Sequence, residues 1–207
     1  MNHKDIRICF VGDSFINGTG DESTLGWTGR ICAEAKLKNS SITQYNLGIR
    51  RNTSHDILLR IENEVSLRLP DDLSVSYDPR VVISFGVNDT VIENGKRRVA
   101  EKDSIDNLIN IIEFLKAKYK VIIVGPPAIN DDEQNARIKL LCDQFEFQAE
   151  QLGVAYIDLF YSLVDDEEYK KEIINNDGAH PKGNGYGKLA KIIGSSENWW
   201  FYNHSNE

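Results

Sequence analysis

Short runs of β-branched and aromatic residues alternate along this chain with longer stretches whose apolar residues recur at helical spacing. That alternation constrains the fold more than any other feature. The first run, Ile6-Arg7-Ile8-Cys9-Phe10, opens into Val11-Gly12-Asp13-Ser14. Four further segments read as strands: Thr43 to Leu47, Arg80 to Phe85, Lys120 to Val124 and Val154 to Leu159. All but Thr43 to Leu47 are nearly continuous in apolar character, as strands covered on both faces are. Between them, Thr53 to Leu69 carries Ile57, Leu58, Ile61, Val65 and Leu69, with Thr53 or Ser54 as N-cap. Asp103 to Tyr119 and Ala136 to Leu152 repeat the helical pattern, and a last helix is expected after Asn184 through Tyr186, Leu189 and Ile193.

Strands alternating with helices predict right-handed βαβ crossovers and a parallel sheet covered on both faces. The expected class is α/β: one domain over residues 1–207, a three-layer α/β/α sandwich with a flavodoxin-like five-stranded parallel sheet. Residues 199–207 form a C-terminal tail whose Trp199-Trp200-Phe201-Tyr202 suits docking on the body or on a second copy in a homo-oligomer.

In such sheets the ligand groups hang on loops at the carboxyl ends of the strands. Those loops hold the unusual residues: Gly12-Asp13-Ser14 after the first strand, Asn46-Leu47-Gly48 after the second, Gly86-Val87-Asn88-Asp89 after the third, and Asp177-Gly178-Ala179-His180-Pro181 after the fifth. A hydroxyl, a glycine, an amide, a carboxylate and an imidazole are a kit for acyl transfer. A serine hydroxyl is a weak nucleophile and needs an adjacent base, usually a histidine whose other ring nitrogen is held by a carboxylate. Asp177 and His180 are close enough in sequence for one short loop to present both. Gly48, without a Cβ, can bring its N–H close to a substrate, and Asn88 carries an NH2 donor; with the Ser14 N–H these would make a three-donor oxyanion hole. His3 and His204 lie near the termini and His55 begins a helix, so His180 is the expected base.

These four blocks, in this order, resemble the GDSL, or SGNH, hydrolase family, named for the Ser, Gly, Asn and His that here are Ser14, Gly48, Asn88 and His180. The resemblance spans Gly12 to Pro181. It implies Ser14 as nucleophile, His180 as base, Asp177 as its orienter, the Ser14, Gly48 and Asn88 hole, no metal and no organic cofactor. The chain departs from the pattern twice. Phe15 stands where the motif's name has Leu, a change expected to alter packing rather than chemistry. Ile49-Arg50-Arg51-Asn52-Thr53 follows Gly48 where many members have a small residue and a second glycine, which puts two guanidinium groups near the expected oxyanion site.

Arg50 and Arg51 are thus candidate substrate contacts beside the plainer reading of solvated charges, and Trp27, in the long Gly-rich loop from Asn17 to Gly29, either walls a substrate pocket or packs against the helix that follows. Asp13 and Asp89 fit loop hydrogen bonding. Pro126-Pro127 is expected to shape the rim of the site. Two other readings compete with a serine esterase acting on a small-molecule ester. One is metal-assisted phosphoester hydrolysis on Asp13, Asn88, Asp89, Asp177 and His180; the other is a non-catalytic binding domain on the same topology. Neither Gly-x-Gly-x-x-Gly nor Gly-x4-Gly-Lys-[Ser/Thr] is present.

Composition narrows the partners. A net charge of −8 disfavours nucleic acid. No apolar run approaches the roughly 18 residues of a membrane span. Cys9, Cys32 and Cys142, odd in number and set in apolar patterns, suit reduced core thiols. With no basic and apolar leader at the start, the expected location is cytoplasmic.

Overall fold

The structure, a computed structural model, describes residues 3–35, 37, 39–71 and 76–202. In chain order the elements are β1 (Lys4–Gly12), α1 (Ser14–Asn17), α2 (Gly26–Glu34), β2 (Ser40–Gly48), α3 (Ser54–Arg68), β3 (Tyr77–Ser84), the hairpin strands β4 (Ile92–Glu93) and β5 (Lys96–Arg97), α4 (Glu101–Lys116), β6 (Lys120–Val124), α5 (Asp132–Leu152), β7 (Ala155–Ile157), α6 (Phe160–Leu163), α7 (Glu167–Ile174) and α8 (Gly183–Gly194). The main sheet is parallel throughout with order β2-β1-β3-β6-β7. This is the flavodoxin-like order, as expected.

Double burial explains why the inner strands were legible. Along β1, Ile6, Ile8 and Phe10 enter the core on one face with Trp27 and Ile31 of α2 and Tyr186, Leu189 and Ile193 of α8. Cys9 and Val11 enter the core on the other with Ile57 and Ile61 of α3, Leu108 and Ile112 of α4 and Phe145 of α5. Successive side chains of a strand point to opposite faces, so a strand covered twice must be apolar at every position. β2 is an edge strand whose side chains are exposed or half-buried except for Leu47, which is why its apolar signal is weak. Helix α3 starts in a capping box: the Asp56 N–H donates to the Thr53 hydroxyl and the Thr53 N–H to the Asp56 carboxylate.

Several features went unanticipated: the short helix α1, the start of α2 at Gly26 inside the stretch read as a loop, the β4–β5 hairpin, and the short helices α6 and α7, which separate β7 from the Asp177 loop. That loop joins α7 to α8 instead of following a strand directly. The described part of the tail docks on the body. Trp199 and Phe201 are buried in the core, and the Arg80 guanidinium carbon stands 5.0 Å from the ring centres of both Trp200 and Phe201. Residues 203–207, with His204, lie outside the described residues. Cys9 and Cys142 are buried and Cys32 half-buried, all three as free thiols. Among the described residues no helix is long and apolar enough to cross a membrane.

Candidate active site

The carboxyl ends of β1, β2 and β3 are in register, Gly12 facing Gly48 on one side and Ser84 on the other. Directly beyond Gly12, Asp13 caps α1 by accepting a hydrogen bond from the Phe15 N–H at 2.9 Å, which turns the chain and sets Ser14 on the first helical position. The Ser14 N–H, in that first turn, has no intrahelical acceptor. Gly48 packs hard against this turn: a Cβ there would stand 2.2 Å from Asn17 N and 2.7 Å from the Asp13 carbonyl oxygen, so no larger residue fits.

The Asp177 loop is built by its own carboxylate. Oδ1 accepts from the main-chain N–H of Ala179 at 3.0 Å and of His180 at 2.8 Å, closing an Asx-type turn. Gly178 takes φ +83°, a left-handed conformation that favours glycine. Oδ2 is left to face the imidazole, 2.7 Å from His180 Nδ1. His180 Nε2 lies 2.7 Å from Ser14 Oγ. Neighbouring segments hold the loop in place: Asn176 Nδ2 donates to the His180 carbonyl at 2.9 Å, the Gly183 N–H to Glu22 at 3.1 Å, the Tyr186 hydroxyl to the Thr19 carbonyl at 2.8 Å and the Asn130 N–H to the Gly178 carbonyl at 2.9 Å.

Burial pushes the Asp177 carboxyl up, but the His180 N–H, the imidazole and the Ala179 N–H outweigh it, leaving Asp177 below the usual carboxylate range. An ionised Asp177 only accepts, so Nδ1 carries the proton and Nε2 is free to accept from the Ser14 hydroxyl. Ser14 itself is 5% exposed. The Phe15 ring, 2% exposed, lies on the imidazole with ring centres 4.9 Å apart and also packs with Ala128, Ile129, Ile138 and Phe160 beneath the loops. The departure from Leu thus sets an aromatic ring, tilted by 38°, against His180.

Asn88 sits beside Asp13, its Nδ2 donating to Asp13 Oδ2 at 3.3 Å and to the Asn52 carbonyl at 3.0 Å, while its Oδ1 accepts from Arg98 at 3.4 Å. The Gly48 N–H donates to Asn46 Oδ1 at 3.0 Å, and Asn46 Nδ2 in turn holds the Ile16 carbonyl at 2.7 Å. The structure therefore brings Ser14, Asp177 and His180 into one hydrogen-bonded row and gives Gly48 and Asn88 acceptors inside the protein. Burial raises the Asp13 carboxyl to about 7, against hydrogen bonds from Phe15 and Asn88. Asp89 is likewise raised by burial, with the Ser54 N–H on its Oδ1 at 2.8 Å. Both carboxylates are engaged as loop and cap acceptors. Among the described residues no group of three or more His, Cys, Asp or Glu side chains is gathered as a metal site requires, so the alternative ligand set is not assembled.

Trp27 does not wall the site. It lies inside α2, fully buried, its ring edge-on to Phe10 at 5.5 Å, because β1 and α2 close over it. Arg51 is turned to the hairpin, its guanidinium 3.0 Å from Glu93; Arg50 is exposed. Pro126 is buried against Gly86, whose added Cβ would meet Pro126 Cγ at 3.1 Å. Asn46, Asn52 and Asn176 were not anticipated as parts of the site. The two that neighbour Gly48 were the findable ones, being polar residues where the strand meets its loop; nothing local marks Asn176.

Comparison with known proteins supplies the family and agrees with the fold. The family model described as the GDSL-like lipase/acylhydrolase family matches residues 10–188. No curated protein matches the sequence. Among solved structures, a lipase/acylhydrolase from Enterococcus faecalis is similar at 25% identity and a TM-score of 0.72, over 93% of each chain. The psychrotrophic esterase EstA from Pseudoalteromonas sp., in a structure inhibited by monoethylphosphonate, superposes at 20% identity and a TM-score of 0.72, over 95% of this chain and 99% of that one. Axe2, an acetylxylan esterase from Geobacillus stearothermophilus, does so at 19% identity and a TM-score of 0.66, over 90% of this chain and 91% of that one. With the family model covering most of its length, the chain belongs to the GDSL-like lipase/acylhydrolase family, a family of carboxylic ester hydrolases.

Proposed function

We propose that the protein is a serine esterase in which Ser14, His180 and Asp177 form a catalytic triad and Ser14, Gly48 and Asn88 an oxyanion hole. The observation that carries this reading is the unbroken row Ser14 Oγ, His180 Nε2, His180 Nδ1, Asp177 Oδ2, with both links 2.7 Å. Nε2 takes the hydroxyl proton as Oγ bonds to the ester carbonyl carbon. The carbonyl oxygen becomes an oxyanion and Asp177 stabilises the imidazolium. The imidazolium then protonates the leaving alcohol as the C–O bond breaks, giving an acyl-enzyme. Water, deprotonated by His180, attacks the acyl carbon; Ser14 leaves and regains the proton, and the acid is released.

The Ser14 N–H, the Gly48 N–H and Asn88 Nδ2 are the donors to the oxyanion. The Gly48 N–H donates to the neutral amide oxygen of Asn46, and charge-assisted bonds are roughly twice as strong as neutral ones. The arriving oxyanion therefore draws the Gly48 N–H away from Asn46, and shares Asn88 Nδ2 with Asn52 and Asp13. The substrate is a small or exposed ester, in keeping with the acetylxylan named for Axe2. Of the two arginines that follow Gly48, Arg51 is paired with Glu93 and Arg50 is exposed, so Arg50 is the one this reading assigns to contact with the substrate. Ser14→Ala tests the reading: it should abolish hydrolysis of p-nitrophenyl acetate while the fold persists, and wild-type turnover in that variant would overturn it.

A further inference from the structure

Arg60, on the second turn of α3, does not extend into solvent as a surface arginine would. Its Nη2 donates to the carbonyls of Gly12 and Leu47, both at 2.9 Å, and its Nε donates to Asn52 Oδ1 at 2.8 Å. All three acceptors are neutral, and Nη1 is buried with no hydrogen-bond partner among the described residues. Gly12 stands two residues before Ser14, and Leu47 immediately precedes Gly48. The third acceptor, Asn52, receives Asn88 Nδ2 on its own carbonyl at 3.0 Å. One planar group therefore reaches the chain just ahead of two candidate oxyanion donors and, through Asn52, the third.

The sheet itself cannot do this. The β1–β2 pairing ends at Gly12 and Gly48, with one further bond from the Ile49 N–H to the Gly12 carbonyl at 3.0 Å. The donors lie where regular pairing stops, and α1 begins its turn there. The guanidinium fork continues the tie past the end of the ladder, in a geometry an ammonium cannot reproduce.

We infer that Arg60 is a positioning residue for the oxyanion hole, its guanidinium setting the spacing of the Ser14, Gly48 and Asn88 donors. This rests on the proposed assignment of those donors. Arg60→Lys keeps the charge and loses the fork; Arg60→Gln loses both. Because a shift of about 1 Å in reacting geometry can cost on the order of a hundredfold, both should lower kcat on p-nitrophenyl acetate by about ten- to a hundredfold, with KM within about threefold. A boronic acid that forms a tetrahedral adduct on Ser14 should weaken by the same factor as kcat/KM. The acid limb of the pH profile should stay in place, since the His180–Asp177 pair is untouched. Asn52→Ala, which removes the Oδ1 that Arg60 Nε holds but keeps the main-chain carbonyl that Asn88 reaches, should lower kcat by a smaller factor, and decides the matter if the Arg60 variants do not fold. Folded variants with kcat within about twofold of wild type, or with unchanged boronate affinity, would overturn the inference. The Ser14→Ala control separates the two failures: an inactive Ser14→Ala beside a fully active Arg60→Lys sinks the positioning role alone, whereas an active Ser14→Ala removes both.

Discussion

Replacing Asp177 by asparagine changes one oxygen to an NH2, and the structure decides which way the new amide faces. Oδ1 accepts two main-chain N–H groups, from Ala179 at 3.0 Å and His180 at 2.8 Å. Turning the NH2 toward them would leave two donors facing a donor, at about 1–3 kcal/mol each. The NH2 therefore lands opposite His180 Nδ1 and donates to it. Nδ1 must then be the unprotonated nitrogen, so Nε2 carries the proton and cannot take another from Ser14. In the serine-triad template this exchange costs about ten-thousandfold in kcat, which is about 5 kcal/mol of barrier. The Asp177 side chain is 45% exposed, so solvent screens the electrostatic share, and the expected loss is about a thousand- to ten-thousandfold. Asp177→Ala lets the imidazole choose its tautomer and should lose less, about a hundred- to a thousandfold. Initial rates on p-nitrophenyl acetate, with thermal melts to show that both variants are folded, make the comparison. If Asp177→Asn keeps more than about a tenth of wild-type kcat, or ranks above Asp177→Ala, the turn does not dictate the tautomer.

Phe15→Leu should keep kcat within a few-fold and cost under about 1.5 kcal/mol of stability, whereas Phe15→Ala, emptying the space against His180, should cost about 3–5 kcal/mol in urea melts; equal effects would show that the ring does not support the imidazole. Burial raises Asp13 to about 7, so the folded state holds its proton more tightly than the unfolded chain. Its contribution favours folding below about pH 4 and is lost as pH rises toward the folded value. Asp13→Asn cannot ionise, so its stability relative to wild type should improve between pH 5 and pH 8, and an unchanged gap in urea midpoints would contradict a buried ionising carboxyl. The rate should rise with pH as the imidazole loses its proton, with Asp177, held below the usual carboxylate range, staying ionised throughout; a flat kcat/KM between pH 5 and 8 with chemistry limiting would count against His180 as base.

What could be read from the residues alone follows burial and locality. β1, β3 and β6 announce themselves because both faces are covered, as Ile8 and Cys9 show by entering opposite cores. The edge strand β2 and the hairpin at Ile92–Arg97 carry weak patterns because little of either is buried. The Ser14, Gly48, Asn88 and His180 blocks were legible because each loop constrains its own backbone: an Asx turn at Asp177, a cap at Asp13, a glycine where β2 meets α1. Trp27 was ambiguous, since an aromatic beside a glycine loop looks alike as wall or core until α2 is seen to close over it. The links from Arg60 to Gly12 and from Asn88 to Asn52 join residues 48 and 36 positions apart, and no local pattern encodes them.

The central claim is that Ser14 carries the acyl group. Acid-quenched enzyme, taken within the first turnovers on p-nitrophenyl acetate and mapped by peptide mass spectrometry, tests it most directly. One acetyl group on Ser14, absent from Ser14→Ala and accumulating in Asp177→Asn only at that variant's slowed rate, is the result expected. An acetyl group on another residue, or rapid turnover with Ser14 never modified, would contradict it.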